Sequence, residues 1–203
     1  MLRIHLVRHG ETDANAGGII QGQSESQLTE RGEAQATALG ERLNGMAFTA
    51  VYCSTSIRAR QTVARILGTD GSGVTYLDSI REIFLGPWEG RARDEVDATW
   101  PEQVAAYRGT PHTFRYDGME SFHDVQQRGV ATVENIAREV DGGDVLVVSH
   151  GGLIKTVLFH FLGWPLSTLW EAPPLHNCSH HIIAFAPGAA PRVVQLNDKP
   201  YPA

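Results

Sequence analysis

The chain has 203 residues, 42% of them hydrophobic and 20% charged, enough to close one full-sized core. A net charge of -6 and a pI near 5.8 exclude general attraction to nucleic acid or anionic lipid, so any anion site has to rest on a few local cations. Cys53 and Cys178 are too few and too far apart for a disulfide framework or a four-thiolate zinc site, which fits a reduced, cytosolic setting. The first residues alternate Leu2, Ile4 and Leu6 with Arg3 and His5 rather than forming an unbroken apolar leader, and no later stretch approaches membrane-spanning length.

In chain order, β-branched and apolar runs predict strands over 2–7, 49–54, 74–77, 144–149, 181–186 and 192–196, each flanked by Gly, Pro, Asp or Ser. Helical patterns fill the intervals. Thr29 caps a helix over about 30–44 that stops at Asn44-Gly45, and residues 56–67 place Ile57, Val63, Ile66 and Leu67 inward before Gly68. Ser121, with Asp124 three residues on, starts a helix with Phe122, Val125, Gly129, Val133, Ile136 and Val140 at helical spacing. A buried helix over 152–162 carries Leu153, Ile154, Val157, Leu158, Phe161 and Leu162. This alternation predicts one α/β domain over 1–203, a three-layer α/β/α sandwich with a mostly parallel central sheet whose ligand site lies beyond the carboxyl ends of its strands. Residues 87–118 scatter Trp88, Trp100, Tyr107, Phe114 and Tyr116 among Pro, Gly and charges and read as a lid-like insertion over the site rather than as core.

Two strands run into His-Gly turns, at Arg8-His9-Gly10-Glu11-Thr12 and at Ser149-His150-Gly151-Gly152. The first puts a fixed cation beside an imidazole, followed by a glycine that admits close backbone approach, which is equipment for handling phosphate. The second sits at a strand-to-helix junction, where free backbone N–H groups favour anions. Arg58 falls in the first turn of a helix, a position unfavourable to the helix dipole that an anionic ligand would relieve. Glu82, in Arg81-Glu82-Ile83-Phe84-Leu85, is set among apolar groups, where burial would raise its pKa toward that of a general acid; a salt bridge to Arg81 is the competing reading. His176, His180 and His181 lack a companion set of ligands for zinc other than Cys178, and His160, in an apolar helix, reads as a core residue.

Taken in order, these pieces resemble the histidine phosphatase superfamily, the phosphoglycerate-mutase-like clan: Arg8-His9-Gly10-Glu11-Thr12 with Asn15, then Gln21-Gly22, Leu28-Thr29, Gly32 and Gln35-Ala36. Ser56 with Arg58-Ala59 and Thr62, Glu82 with Gly86 and Glu89-Gly90, Glu120-Ser121, and Ser149-His150-Gly151 complete the series. The loop Gln21–Thr29 lacks the Asp and Pro usual before Leu-Thr. The resemblance implies that His9 is phosphorylated in line, that Arg8, Arg58 and His150 hold the phosphate oxygens with help from Asn15, Gln21, Gly22 and Gly151, and that Glu82 is the general acid and base. It implies no metal and no cofactor, and a small phosphorylated substrate as partner, with a homodimer left open. Leu85 and Gly152 stand where cofactor-dependent mutases have Tyr and Asn, and Arg108 and Arg115 are single rather than a paired clamp. The phosphatase branch is therefore expected, with phosphoglycerate mutase and an inactive binding module as the alternatives.

Overall fold

The computed structural model describes residues 1–202 and is organised around a seven-stranded sheet of order β3-β2-β4-β1-β5-β6-β7. The strands are β1 (Leu2–Arg8), β2 (Phe48–Ser54), β3 (Val74–Leu77), β4 (Gly143–Ser149), β5 (His180–Phe185), β6 (Arg192–Leu196) and the short β7 (Lys199–Pro200), which the residue pattern does not announce. β1, β2, β3 and β4 are mutually parallel, whereas β5, β6 and β7 form an antiparallel edge. The helices are α1 (Asp13–Ala16), α2 (Glu30–Arg42), α3 (Ile57–Leu67), α4 (Arg93–Thr99), α5 (Pro101–Gly109), α6 (Phe122–Glu139) and α7 (Gly151–Leu162).

Strand alternation distributes the central side chains between two cores. Ile4 and Leu6 of β1 and Val145 and Val147 of β4 face α6 and α7, while Val7, Leu146 and Val148 face α2 and α3. Ser121 caps α6 with the reciprocal Asp124 bonds expected of a capping box, and Thr29 caps α2 through the Gly32 N–H. Where Gly129 passes α7, an added Cβ would lie 2.6 Å from Val157 Cγ2, so the helices meet closely there.

Three expectations need correction. Ile57 is 41% exposed, because the first turn of α3 points it away from the sheet. His160 is exposed on the outer face of α7, whose buried stripe is Leu153–Phe159. Residues 87–118 contain α4 and α5 and are core as well as cover, since Trp88, Val96, Val104 and Phe114 join the core around Phe122. Their sparse apolar residues suffice because Trp88, Tyr107, Phe114 and Phe122 pack ring against ring. Among the described residues no helix is long and apolar enough to cross a membrane.

Candidate active site

The parallel strands β1, β2 and β4 all point their carboxyl ends toward one cavity of about 630 Å³. Arg8, His9, Asn15, Gln21, Gly22, Arg58, Glu82, Gly151 and Gly152 line it, so the structure gathers residues separated by more than a hundred positions. His9 directly follows β1. Its Nδ1–H donates to the Gly10 carbonyl at 2.7 Å, which leaves the lone pair on Nε2. The ring is buried, and burial first, then the Arg8 and Arg58 charges, hold its pKa well below the ordinary histidine value. A neutral imidazole with a free Nε2, flanked by cations, is a nucleophile for an anionic electrophile. Gly10 cannot carry a side chain here: a Cβ would lie 2.5 Å from the Gly32 carbonyl oxygen, the contact that seats this turn on α2.

Arg58 is fully buried, with its guanidinium held by the Gly22 carbonyl at 2.7 Å, the Ser24 carbonyl at 2.8 Å and His150 Nδ1 at 3.2 Å. Arg8 donates to the Leu175 carbonyl at 2.5 Å, while its buried Nε has no partner among the described residues. Neither arginine pairs with a carboxylate among those residues; both lose solvation on burial, which lowers their pKa values, and both feel the Glu82 charge in the opposite sense. Two desolvated cations without close counter-charges form a seat for an anion.

His150 stands one layer behind the cavity rather than on its wall. It accepts from Arg58 Nε at Nδ1, so Nε2 carries the proton and donates to Ser54 Oγ at 2.8 Å. Its ring lies 5.2 Å from that of His9, and its pKa is held well below the ordinary value by burial and then by Arg58. His150 thus touches Arg58 rather than the cavity expected of it.

Glu82 is not surrounded by apolar groups, nor is it paired with Arg81, which turns instead to the Gln23 carbonyl and Glu25. Its Oε1 accepts the Ile83 and Leu153 N–H groups at 3.0 and 2.9 Å, and Oε2 accepts the Gly152 N–H at 2.9 Å. The N-terminus of α7 thus seats the carboxylate. A Cβ on Gly152 would lie 2.6 Å from Oε1, so a side chain here would push the carboxylate out of this seat.

Several contributors escaped the motif reading. Arg128 pairs with Glu120 and donates to the carbonyls of Ser79, Arg81 and Glu82, clamping the segment that carries Glu82. A charge on the buried face of α6, beside Val125, Gly129 and Thr132, was its available signal. Asn177 donates to the His9 carbonyl and to Asn15 Oδ1, which turns Asn15 into part of a bridge between α1 and the loop before β5. The three late histidines diverge: His176 meets Asp198, His180 meets His5, and His181 accepts from the Asn197 N–H.

A parallel-sheet α/β fold whose strand ends converge on a neutral histidine, two unpaired arginines and a helix-seated carboxylate defines an enzyme class built for phosphoryl transfer. The model of the histidine phosphatase superfamily (branch 1) matches residues 4–199, and the chain belongs to that family. It is 31% identical over 171 residues to an adenosylcobalamin/alpha-ribazole phosphatase of Escherichia coli (strain K12), covering 84% of each chain. It is 35% identical over 184 residues to a probable phosphoglycerate mutase GpmB of Salmonella choleraesuis, covering 88% of this chain and 83% of the relative. Among solved structures, Bacillus stearothermophilus YhfR superposes with a TM-score of 0.92 at 36% identity over 98% of both chains.

Proposed function

We propose that the chain is a cytoplasmic phosphomonoester hydrolase that turns over a small phosphorylated metabolite through a phosphohistidine on His9. The observation that carries this reading is the tautomer of His9: Nδ1 is spent on the Gly10 carbonyl, and Nε2 is left with its lone pair in a cavity lined by Arg8 and Arg58. Nε2 attacks phosphorus in line, and the P–N bond forms as the bond to the alcohol oxygen breaks. Arg8 and Arg58 neutralise the equatorial oxygens, with Asn15, Gln21, Gly22 and Gly151 around them and His150 holding Arg58 in place.

Glu82 enters protonated and gives its proton to the leaving alkoxide. Oε2 accepts one backbone N–H where Oε1 accepts two, so Oε2 has the freer lone pair for that proton. The resulting carboxylate then takes a proton from water as that water attacks the phosphohistidine, and inorganic phosphate leaves. The arginine charges do the work that a metal does elsewhere, so the sequence of steps calls for none.

Hydrolysis is favoured over isomerisation by Gly152, because the side chain that mutases carry at this position would collide with the carboxylate as seated here. The name of the Salmonella relative keeps mutase activity as the second reading. Incubation with 3-phosphoglycerate, with and without its bisphosphate, separates the two: free phosphate is expected, and dominant formation of the isomer would overturn the choice. Glu82→Gln is expected to slow alkyl phosphates by about 10²-fold or more, and aryl phosphates much less, because only a poor leaving group needs the proton. Equal losses across a leaving-group series would remove Glu82 from the acid role.

A further inference from the structure

Beyond the phosphate seat the cavity wall is apolar, formed in part by Ile19, Leu85, Trp88, Val96, Tyr107 and Trp170. Five cations nevertheless line the whole cavity against two carboxylates, Glu82 and Asp97. Arg8 and Arg58 belong to the phosphate seat, Arg108 is neutralised by Asp97 at 2.9 Å, and Arg93 is exposed, so that solvent screens its charge. Lys155 is different. Its side chain is 7% exposed, it pairs with no carboxylate among the described residues, and its Nζ has the Ala172 carbonyl at 2.9 Å as its hydrogen-bond acceptor. The ammonium also lies 5.4 Å from the centre of the Trp170 ring.

A lysine costs several kcal/mol to bury without a counter-charge, on the order of the penalty for one desolvated ion, and one carbonyl with one aromatic face recovers part of it. Burial alone lowers the pKa of Lys155, with no acidic neighbour opposing it. The position is also significant. Lys155 is four residues beyond Gly151 on α7, hence on the same face, with Cβ positions about 5–6 Å apart. Helical side chains lean toward the N-terminus, and there an added Cβ on Gly151 would lie 3.2 Å from Arg8 Nε. Lys155 therefore lines the same cavity as Arg8, on the face of α7 that Gly151 turns toward that arginine.

We propose that Lys155 is a specificity-determining residue that reads a second anionic group, a carboxylate, on the alcohol portion of the substrate, so that the site prefers carboxylate-bearing phosphomonoesters to neutral ones. The inference rests on the phosphatase reading of the site. Its test compares 3-phosphoglycerate with glycerol 3-phosphate, which differ in having a carboxylate or a hydroxymethyl group at the far end, with p-nitrophenyl phosphate as the reference.

The parent enzyme is expected to favour 3-phosphoglycerate over glycerol 3-phosphate by at least ten-fold in kcat/KM. Lys155→Met, which keeps the apolar stem, is expected to erase that preference mainly through KM, and Lys155→Arg to restore most of it. A parent that hydrolyses p-nitrophenyl phosphate but shows no preference between the two glycerol-based esters overturns this inference and leaves the phosphatase reading standing. Parallel losses on both esters in Lys155→Met would make Lys155 an anchor of the Ala172 loop alone and overturn it too. A parent inactive on all three removes the phosphatase reading, and this inference with it.

Discussion

β1 and the residue after it carry two buried histidines four positions apart, His5 and His9, and each meets a second buried histidine from a distant part of the chain. At the lower pair every nitrogen is satisfied. His5 donates from Nε2 to Asp144 at 2.7 Å, accepts at Nδ1 from His180 Nε2 at 2.8 Å, and His180 in turn accepts at Nδ1 from Gln195 Nε2 at 2.9 Å. The two rings stack 5.0 Å apart at 17°, and the chain of donors ends on a carboxylate that Arg3 also grips. At the upper pair the rings are tilted at 59°, the neighbouring charges are positive, and His9 Nε2 is left without a hydrogen-bond partner among the described residues. The same side chain, four positions on, has every nitrogen satisfied where its hydrogen bonds close, and keeps one nitrogen open where its neighbours are cations.

Exchanging these circumstances tests the contrast. His9→Ala is expected to lower kcat on an aryl phosphate by about 10⁴-fold or more and to abolish acid-labile phosphorylation, with an unchanged far-ultraviolet circular dichroism spectrum. A variant as active as the parent would remove His9 as nucleophile. His180→Leu is expected to act in the opposite way: activity stays within about three-fold, while stability to urea falls by about 1–3 kcal/mol because His5 Nδ1 and Gln195 lose their partner. A loss of activity larger than the loss of stability would show that the lower pair communicates with the site.

The smallest effect is on pH dependence. Burial, followed by the neighbouring His5, pulls the His180 pKa down to about 4, against about 6.5 for an unfolded histidine. Between these values the unfolded chain binds the additional proton, so the stabilisation is complete above about pH 6.5 and is lost as the pH falls toward 4. The slope of stability against pH in that window is expected to be shallower in His180→Leu than in the parent, by up to one proton, as read from urea midpoints at several pH values. Coincident slopes would mean that His180 titrates alike in both states.

Much of the architecture was legible in the residues because it depends on local periodicity. The strands at 2–7, 74–77 and 144–149 and the helix capped by Ser121 have alternation or helical spacing strong enough to survive the tertiary environment. The segment from 87 to 118 was legible as residues over the site, whose cavity it lines with Trp88, Val96, Val104 and Tyr107, but not as core, because its apolar residues are few and its partners distant. Trp88 and Phe114 are core residues only because Phe122 of α6 stands beside them. Ile57 failed for a different reason: at 100° per residue it stands opposite Ile66 on the helix, so the face that buries Ala59, Val63 and Ile66 turns Ile57 to solvent.

The sequence by itself determined which side chains the proposed phosphoryl transfer can draw on, His9, Arg8, Arg58 and Glu82, since a nucleophile, fixed cations and a proton carrier are properties of side-chain chemistry. Tertiary structure alone decided how each of them is held. It spent His9 Nδ1 on Gly10, put His150 behind Arg58, seated Glu82 on the N-terminus of α7 and left Lys155 buried without a counter-charge. Hydrogen-bond partners and solvation depend on which distant backbone groups arrive at the same place, and that information resides in the packing of β1, β4 and α7 rather than in any one stretch of chain.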